Sequence, residues 1–158
     1  MKNSATPQAS ALPAFQVSVQ SSELAVREAL KQLLDGLVPL HLDVEEAGTV
    51  ELVMAEALNN IVEHAYPQGD DTGPITIACN HRRDGLHLTI TDRGHGMPDG
   101  RTPLGAPVDI DVMPCDIPEG GFGWFLIKDL AKDVQYQRVE LENRLSLRLA
   151  VALASRSN

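Results

Sequence analysis

The sequence predicts an α+β fold, a two-layer sandwich with helices on one face of a mixed sheet. Alternating apolar and polar runs occur near both ends and in the middle of the chain. Segments with helical apolar spacing lie between them, giving the order β, α, α, β, β, long loop, α, β, β.

Phe15 to Gln20 (FQVSVQ) alternates as a half-buried strand does. Ser21 and Ser22 can cap a helix with Glu23 in its first turn, and its stripe of Leu24, Leu30, Leu33, Leu34 and Leu37 reaches Gly36 and Pro39. A longer helix is expected from about Asp43 to about His64, because Val50, Val53, Met54, Ala57, Leu58 and Ile61 recur at helical spacing; Tyr66, Pro67 and Gly69 end it. Pro74 to His81 and Leu86 to Asp92 are strands joined by the turn residues Arg82-Arg83-Asp84-Gly85. From Arg93 to Gly121 glycines and prolines interrupt every periodic pattern, and a loop this long in a small domain is functional or disordered. Trp124 to Lys132 returns to helical spacing, and Val134 to Val139 and Arg144 to Leu153 form two strands around a Glu142-Asn143 turn.

A chain of 158 residues suits one domain, expected over 15–154 after a flexible tail at 1–14. A formal charge of -9 repels nucleic-acid backbones and anionic membranes, and no basic patch offsets it. Neither a secretory signal nor a run of about 20 apolar residues is present, and Cys79 and Cys115 lack zinc or disulfide spacing, so a cytoplasmic protein with reduced thiols is expected. His41, His81, His87 and His95 are scattered without ligand spacing. The GHGMPDGRT run starting at Gly94 is not a P-loop, since Arg101 stands where lysine is needed and Pro103 and Pro107 forbid the following helix.

Three motifs carry chemistry together. Glu56 and Asn60, four residues apart, share one helical face, with His64 a further step along it. Alone, such a pair is an ordinary solvated face. Asp92-Arg-Gly-His-Gly96-Met97 follows a strand, where Gly94 and Gly96 allow the backbone to approach a flat ligand and Asp92 provides a fixed acceptor. Glu119-Gly-Gly-Phe122-Gly123-Trp opens a helix, whose first amides form a phosphate seat. From Asn60 to Asp92 is 32 residues and from Asp92 to Gly121 is 29.

This conjunction resembles the N, G1 and G2 boxes of the GHKL, or histidine kinase-like, ATPase superfamily. The Glu-Ala-x-x-Asn-x-x-x-His-Ala-Tyr and Gly-Gly-Phe-Gly-Trp-Phe-Leu-Ile runs look most like its RsbW-type anti-sigma-factor serine kinases. The resemblance covers about Phe15 to Val151 and implies a Bergerat-type ATP-binding fold. It further implies that Asn60 coordinates Mg²⁺ on the ATP phosphates and that Glu56 is the general base. Asp92 then accepts from the adenine amine, with Gly94, Gly96 and Met97 shaping that pocket. Gly121, Phe122 and Gly123 hold phosphate, His64 lies near the phosphates, and about 97–120 forms the ATP lid.

The implied activity is that of an ATP-dependent serine/threonine protein kinase acting on an anti-sigma-factor antagonist, a STAS-domain protein. The kinase also regulates a sigma factor by partner switching. Dimerisation is implied by the likeness alone. The alternatives are a catalytically weak nucleotide-responsive binding module and the ATPase end of a histidine kinase.

Overall fold

The computed structural model describes residues 12–22, 24–65, 73–95 and 121–151, with backbone alone at 64, 65 and 121–125. In these residues the elements run β1 (Phe15–Gln20), α1 (Ala25–Gly36), a 3-10 turn (Val38–Leu40), α2 (Val44–Asn60), a π-helical turn (Ile61–Ala65), β2 (Pro74–Arg82), β3 (Gly85–Asp92), α3 (Gly121–Leu130), β4 (Lys132–Val139) and β5 (Glu142–Leu149).

The strands order as β1-β2-β3-β5-β4. Every described pairing is antiparallel, so the α+β sandwich forms as expected but its sheet is narrower in type than the mixed one anticipated. Hairpins supply the β2–β3 and β4–β5 neighbours directly, and neither pairing needs a crossover. The β2–β3 hairpin turns at Gly85, whose φ of 134° suits glycine, and a Cβ there would meet the Leu149 carbonyl oxygen.

Period-two alternation decides which face is buried. Val17, Ile77, Ile90 and Leu145 align in one row across four strands, and Cys79, Leu88 and Leu147 in the next. These side chains are at most 4% exposed, and each aliphatic one contributes on the order of 1.5–3 kcal/mol through burial. The following row in the other direction reads Ile75, Asp92, Asn143, Arg138. The same inward parity therefore carries two polar side chains to the end of the core.

The helices cover this face. Ala25, Ala29 and Leu33 are the buried residues of α1, while Leu24, expected in the stripe, lies before the helix and is 71% exposed. Ser22 supplies the capping contact there, its Oγ accepting from Ala25 N–H at 3.1 Å. Close approach of α1 to β1 is possible because residue 36 is glycine, where a Cβ would stand 2.5 Å from the Phe15 ring. Packed between α1 and α3, α2 buries Val50, Val53, Met54, Ala57 and Leu58, the stripe read from its spacing. Among the described side chains of α3, Ile127 is buried.

Several boundaries differ from expectation, among them the start of β4, at Lys132 rather than Val134, and the end of β5, at Leu149 rather than Leu153. Leu12, placed in the tail by composition, is 7% exposed and belongs to the core. The third helix starts at Gly121 rather than Trp124 and ends at Leu130. The last hairpin turns at Glu140, with φ of 58°, and Leu141, so Asn143 is a strand residue and not a turn residue. The Tyr66-Pro67-Gly69 stop signal, the lid at 97–120, Cys115 and the tail before Leu12 lie outside the described residues.

Candidate functional site

The site begins at the far end of α2. Asp43 accepts from Glu46 N–H at 2.7 Å and Glu46 Oε1 accepts from Asp43 N–H at 3.1 Å, a reciprocal cap that fixes where the helix starts. Thirteen positions later the phase of the helix leaves Glu56 half-buried, and one turn on it leaves Asn60 only 8% exposed. The Oδ1 of Asn60 is buried without a hydrogen-bond partner. A buried carbonyl oxygen left bare costs about 1–3 kcal/mol. The chain then leaves α-helical geometry for the π turn Ile61–Ala65, which contains the His64 backbone; such turns concentrate at functional sites.

Strand pairing brings β2, β3 and β5 together at the Asp92 end of the sheet. Beyond the π turn the chain enters β2 at Pro74, and Ile75 of that end pairs with Asp92. At the opposite end α3 delivers the chain into β4, where Lys132 pairs with Arg148. A ten-residue helix running back from there spans about 15 Å. Gly121, Phe122 and Gly123 are the first three residues of α3, so their N–H groups are donors that the helix itself leaves unused.

Asp92 is 4% exposed. Its Oδ1 accepts from Gly94 N–H at 2.8 Å and from Asn143 Nδ2 at 2.8 Å. Asn143 Nδ2 also reaches the carbonyl oxygens of Gly94 (3.2 Å) and His95 (3.0 Å), while its Oδ1 accepts from Tyr136 Oη at 2.8 Å and Arg138 at 2.7 Å. Burial pushes the Asp92 carboxyl above its ordinary range, opposed by the bonds from Asn143 and Gly94 and by the charge of Arg138.

Of the residues expected to act, Glu56 and Asn60 stand on α2, Asp92 ends β3 with Gly94 just beyond it, and Gly121, Phe122 and Gly123 open α3. Gly96 and Met97 lie outside the described residues. Asn143, Tyr136 and Arg138 were not among the expected set. The signal for Asn143 was available, since it continues the inward alternation of Leu145, Leu147 and Leu149 by one step.

Residues 19–149 match the family described as the histidine kinase-like ATPase domain. The chain belongs to that family. Its curated relatives include serine-protein kinases RsbW, in agreement with the motif resemblance. That of Halalkalibacterium halodurans is 31% identical over 65% of this chain and 69% of its own length. The RsbW proteins of Bacillus mycoides and Bacillus cereus are each 33% identical, over 58% and 62% of this chain. The chain spans only 56% and 59% of those two relatives' lengths. The crystal structure of the RsbU and RsbW domains of a Mycobacterium tuberculosis protein shares the fold, with a TM-score of 0.59 at 18% identity over 90% of this chain and 35% of that one.

The donor set fits a family member that binds ATP with a divalent metal. Mg²⁺ takes oxygen ligands, keeps several waters and relies on substrate phosphates, so one bare amide oxygen beside a carboxylate is a suitable protein share. Among the described residues no helix is long and apolar enough to cross a membrane.

Proposed function

We propose that this chain binds Mg²⁺-ATP and transfers the γ-phosphoryl group to a serine or threonine hydroxyl of a STAS-domain anti-sigma-factor antagonist. It also holds a sigma factor in the cytoplasm, as an anti-sigma factor that switches partners when the antagonist is phosphorylated. The observation that carries this reading is the partnerless, buried Oδ1 of Asn60, one helical turn from Glu56 on α2.

Phosphoryl transfer asks a protein chiefly to position its reactants and to neutralise charge. With a net charge of -9, this chain must hold phosphate by local donors rather than by its overall field. The first amides of α3, from Gly121, Phe122 and Gly123, supply such donors, and the helix dipole adds to them. Asn60 Oδ1 would hold Mg²⁺, which supplies neutralisation of the phosphate oxygens when bound. His64 lies one turn beyond Asn60, on the phosphate side of the site.

Glu56 takes the proton from the incoming hydroxyl. As the substrate oxygen forms its bond to the γ-phosphorus, the bond from that phosphorus to the β,γ-bridging oxygen breaks. ADP leaves with the electron pair. At the other end of the nucleotide, Asp92 accepts from the adenine amine. Gly94, Gly96 and Met97 shape the purine pocket, and the 97–120 segment closes over the nucleotide as a lid.

Incubation of the purified chain with γ-labelled ATP and candidate antagonists tests the reading. Label is expected on a partner serine or threonine. Nucleotide binding with no label on any antagonist, while the sigma factor is still bound, would favour a regulatory binder without transfer chemistry.

A further inference from the structure

Asp92 does not orient itself. The last torsion of an aspartate side chain is broad and roughly two-fold, so either oxygen can face a ligand unless neighbours decide. Here both donors to the carboxylate, Gly94 N–H and Asn143 Nδ2, fall on Oδ1. Oδ2 is the oxygen left for a ligand.

Asn143 is itself held in one orientation. Its Nδ2 faces three acceptors, Asp92 Oδ1 and the carbonyls of Gly94 and His95, and its Oδ1 faces two donors, Tyr136 Oη and Arg138. A turned amide would place its oxygen against three acceptors and its nitrogen against two donors. The same Arg138 nitrogen donates to Gly94 carbonyl at 3.0 Å, which ties the strand-end backbone to β4 as well. Asn143 is 3% exposed, so its polar atoms spend their capacity inside this network.

We infer that Asn143, clamped by Tyr136 and Arg138, is a positioning residue that fixes Asp92 with Oδ2 as a pure acceptor and so sets the preference for amino-purine over oxo-purine nucleotides. The inference rests on the reading that Asp92 meets the purine. A carboxylate can only accept hydrogen bonds, which suits the adenine amine and opposes the guanine carbonyl; a carboxylic acid can donate and loses that distinction. Burial alone favours the acid form at Asp92, and the bonds from Asn143 and Gly94 with the charge of Arg138 act against it. Removing the clamp frees the carboxylate to rotate and to take up a proton.

The test uses the full chain as wild type, Asn143→Leu, Tyr136→Phe and Asp92→Asn, with Mg²⁺-ATP and Mg²⁺-GTP affinities measured between pH 5 and pH 8. Asn143→Leu keeps the branched shape, in a larger side chain, and removes the polar atoms. It is expected to weaken ATP at least about tenfold, to weaken GTP less, and to move the pH at which ATP affinity is half lost upward. Tyr136→Phe is expected to shift both readouts in the same direction by a smaller amount.

A folded Asn143→Leu with the wild-type ATP/GTP ratio and pH midpoint would overturn the inference. If that variant does not fold, Tyr136→Phe decides on the same two readouts, and wild-type behaviour overturns it. An unchanged ATP/GTP ratio in Asp92→Asn would instead overturn the reading of Asp92 itself. A loss confined to Asp92→Asn would leave that reading standing and remove only the role given to Asn143.

Discussion

Asp92 and Asn143 are register partners on β3 and β5, and the side-chain amide of one donates to the carboxylate of the other at 2.8 Å. They occupy the inward face one row beyond Ile90 and Leu145, where the apolar core ends. A hydrophobic sheet thereby presents an acceptor at its rim, its carboxylate hydrogen-bonded by Asn143 and Gly94. Four predictions follow from this geometry and its surroundings.

Nucleotide affinity should depend on pH through Asp92. Its carboxyl is raised above the ordinary value of 3.8, and the acid form lacks the free acceptor that an adenine amine needs. ATP affinity is expected to fall as pH drops through this raised value, before ordinary carboxylates titrate. Calorimetric titration across pH checks it, with the Asp92→Asn profile expected to be flat and weaker by about tenfold or more, the scale of one hydrogen bond to a charged group.

The same burial predicts a stability gain from losing the charge. A carboxyl with a raised folded-state pKa destabilises the fold when ionised, and that cost is fully present above the folded value and vanishes below the unfolded one. Asp92→Asn should melt higher than wild type at neutral pH, and the gain should shrink as pH falls through the raised pKa toward 3.8. Thermal melts of the nucleotide-free proteins at several pH values measure this.

Asn60 and Glu56 should separate binding from transfer. Asn60→Ala is expected to abolish the Mg²⁺ dependence of ATP affinity, seen by titrating with and without a chelator. Glu56→Gln keeps the shape and removes the base, so it should bind Mg²⁺-ATP within a few-fold of wild type and lose transfer by about 10²–10⁴-fold. Single-turnover phosphorylation of an antagonist reads the second effect.

The cap at the start of α2 should matter to stability alone. Asp43→Ala removes the bond from Glu46 N–H at 2.7 Å and is expected to cost about 1 kcal/mol, or about 3 °C in melting temperature for a domain of this size. ATP affinity at temperatures well below the melt should stay within a factor of two.

Much of this was legible in the residues. The α2 stripe from Val50 to Ile61 and its Asp43 start are strong local signals, and they fix where Glu56 and Asn60 fall. β1 and the two strands of the first hairpin follow from alternation. Asn143 was misread because Asn after Glu is ordinary turn chemistry, and only its pairing with Asp92 shows that the alternation wins. The α3 start was misplaced because glycines weigh against a helix, yet Gly121 to Gly123 sit in its first turn. That Asn60 Oδ1 is bare depends on what packs around the helix end, which no local pattern encodes.

The most direct test is the structure of the chain crystallised with Mg²⁺ and a non-hydrolysable ATP analogue. The metal is expected on Asn60 Oδ1 and the adenine amine on Asp92 Oδ2. A nucleotide seated on any other part of the sheet, or a metal held without Asn60, would contradict the account.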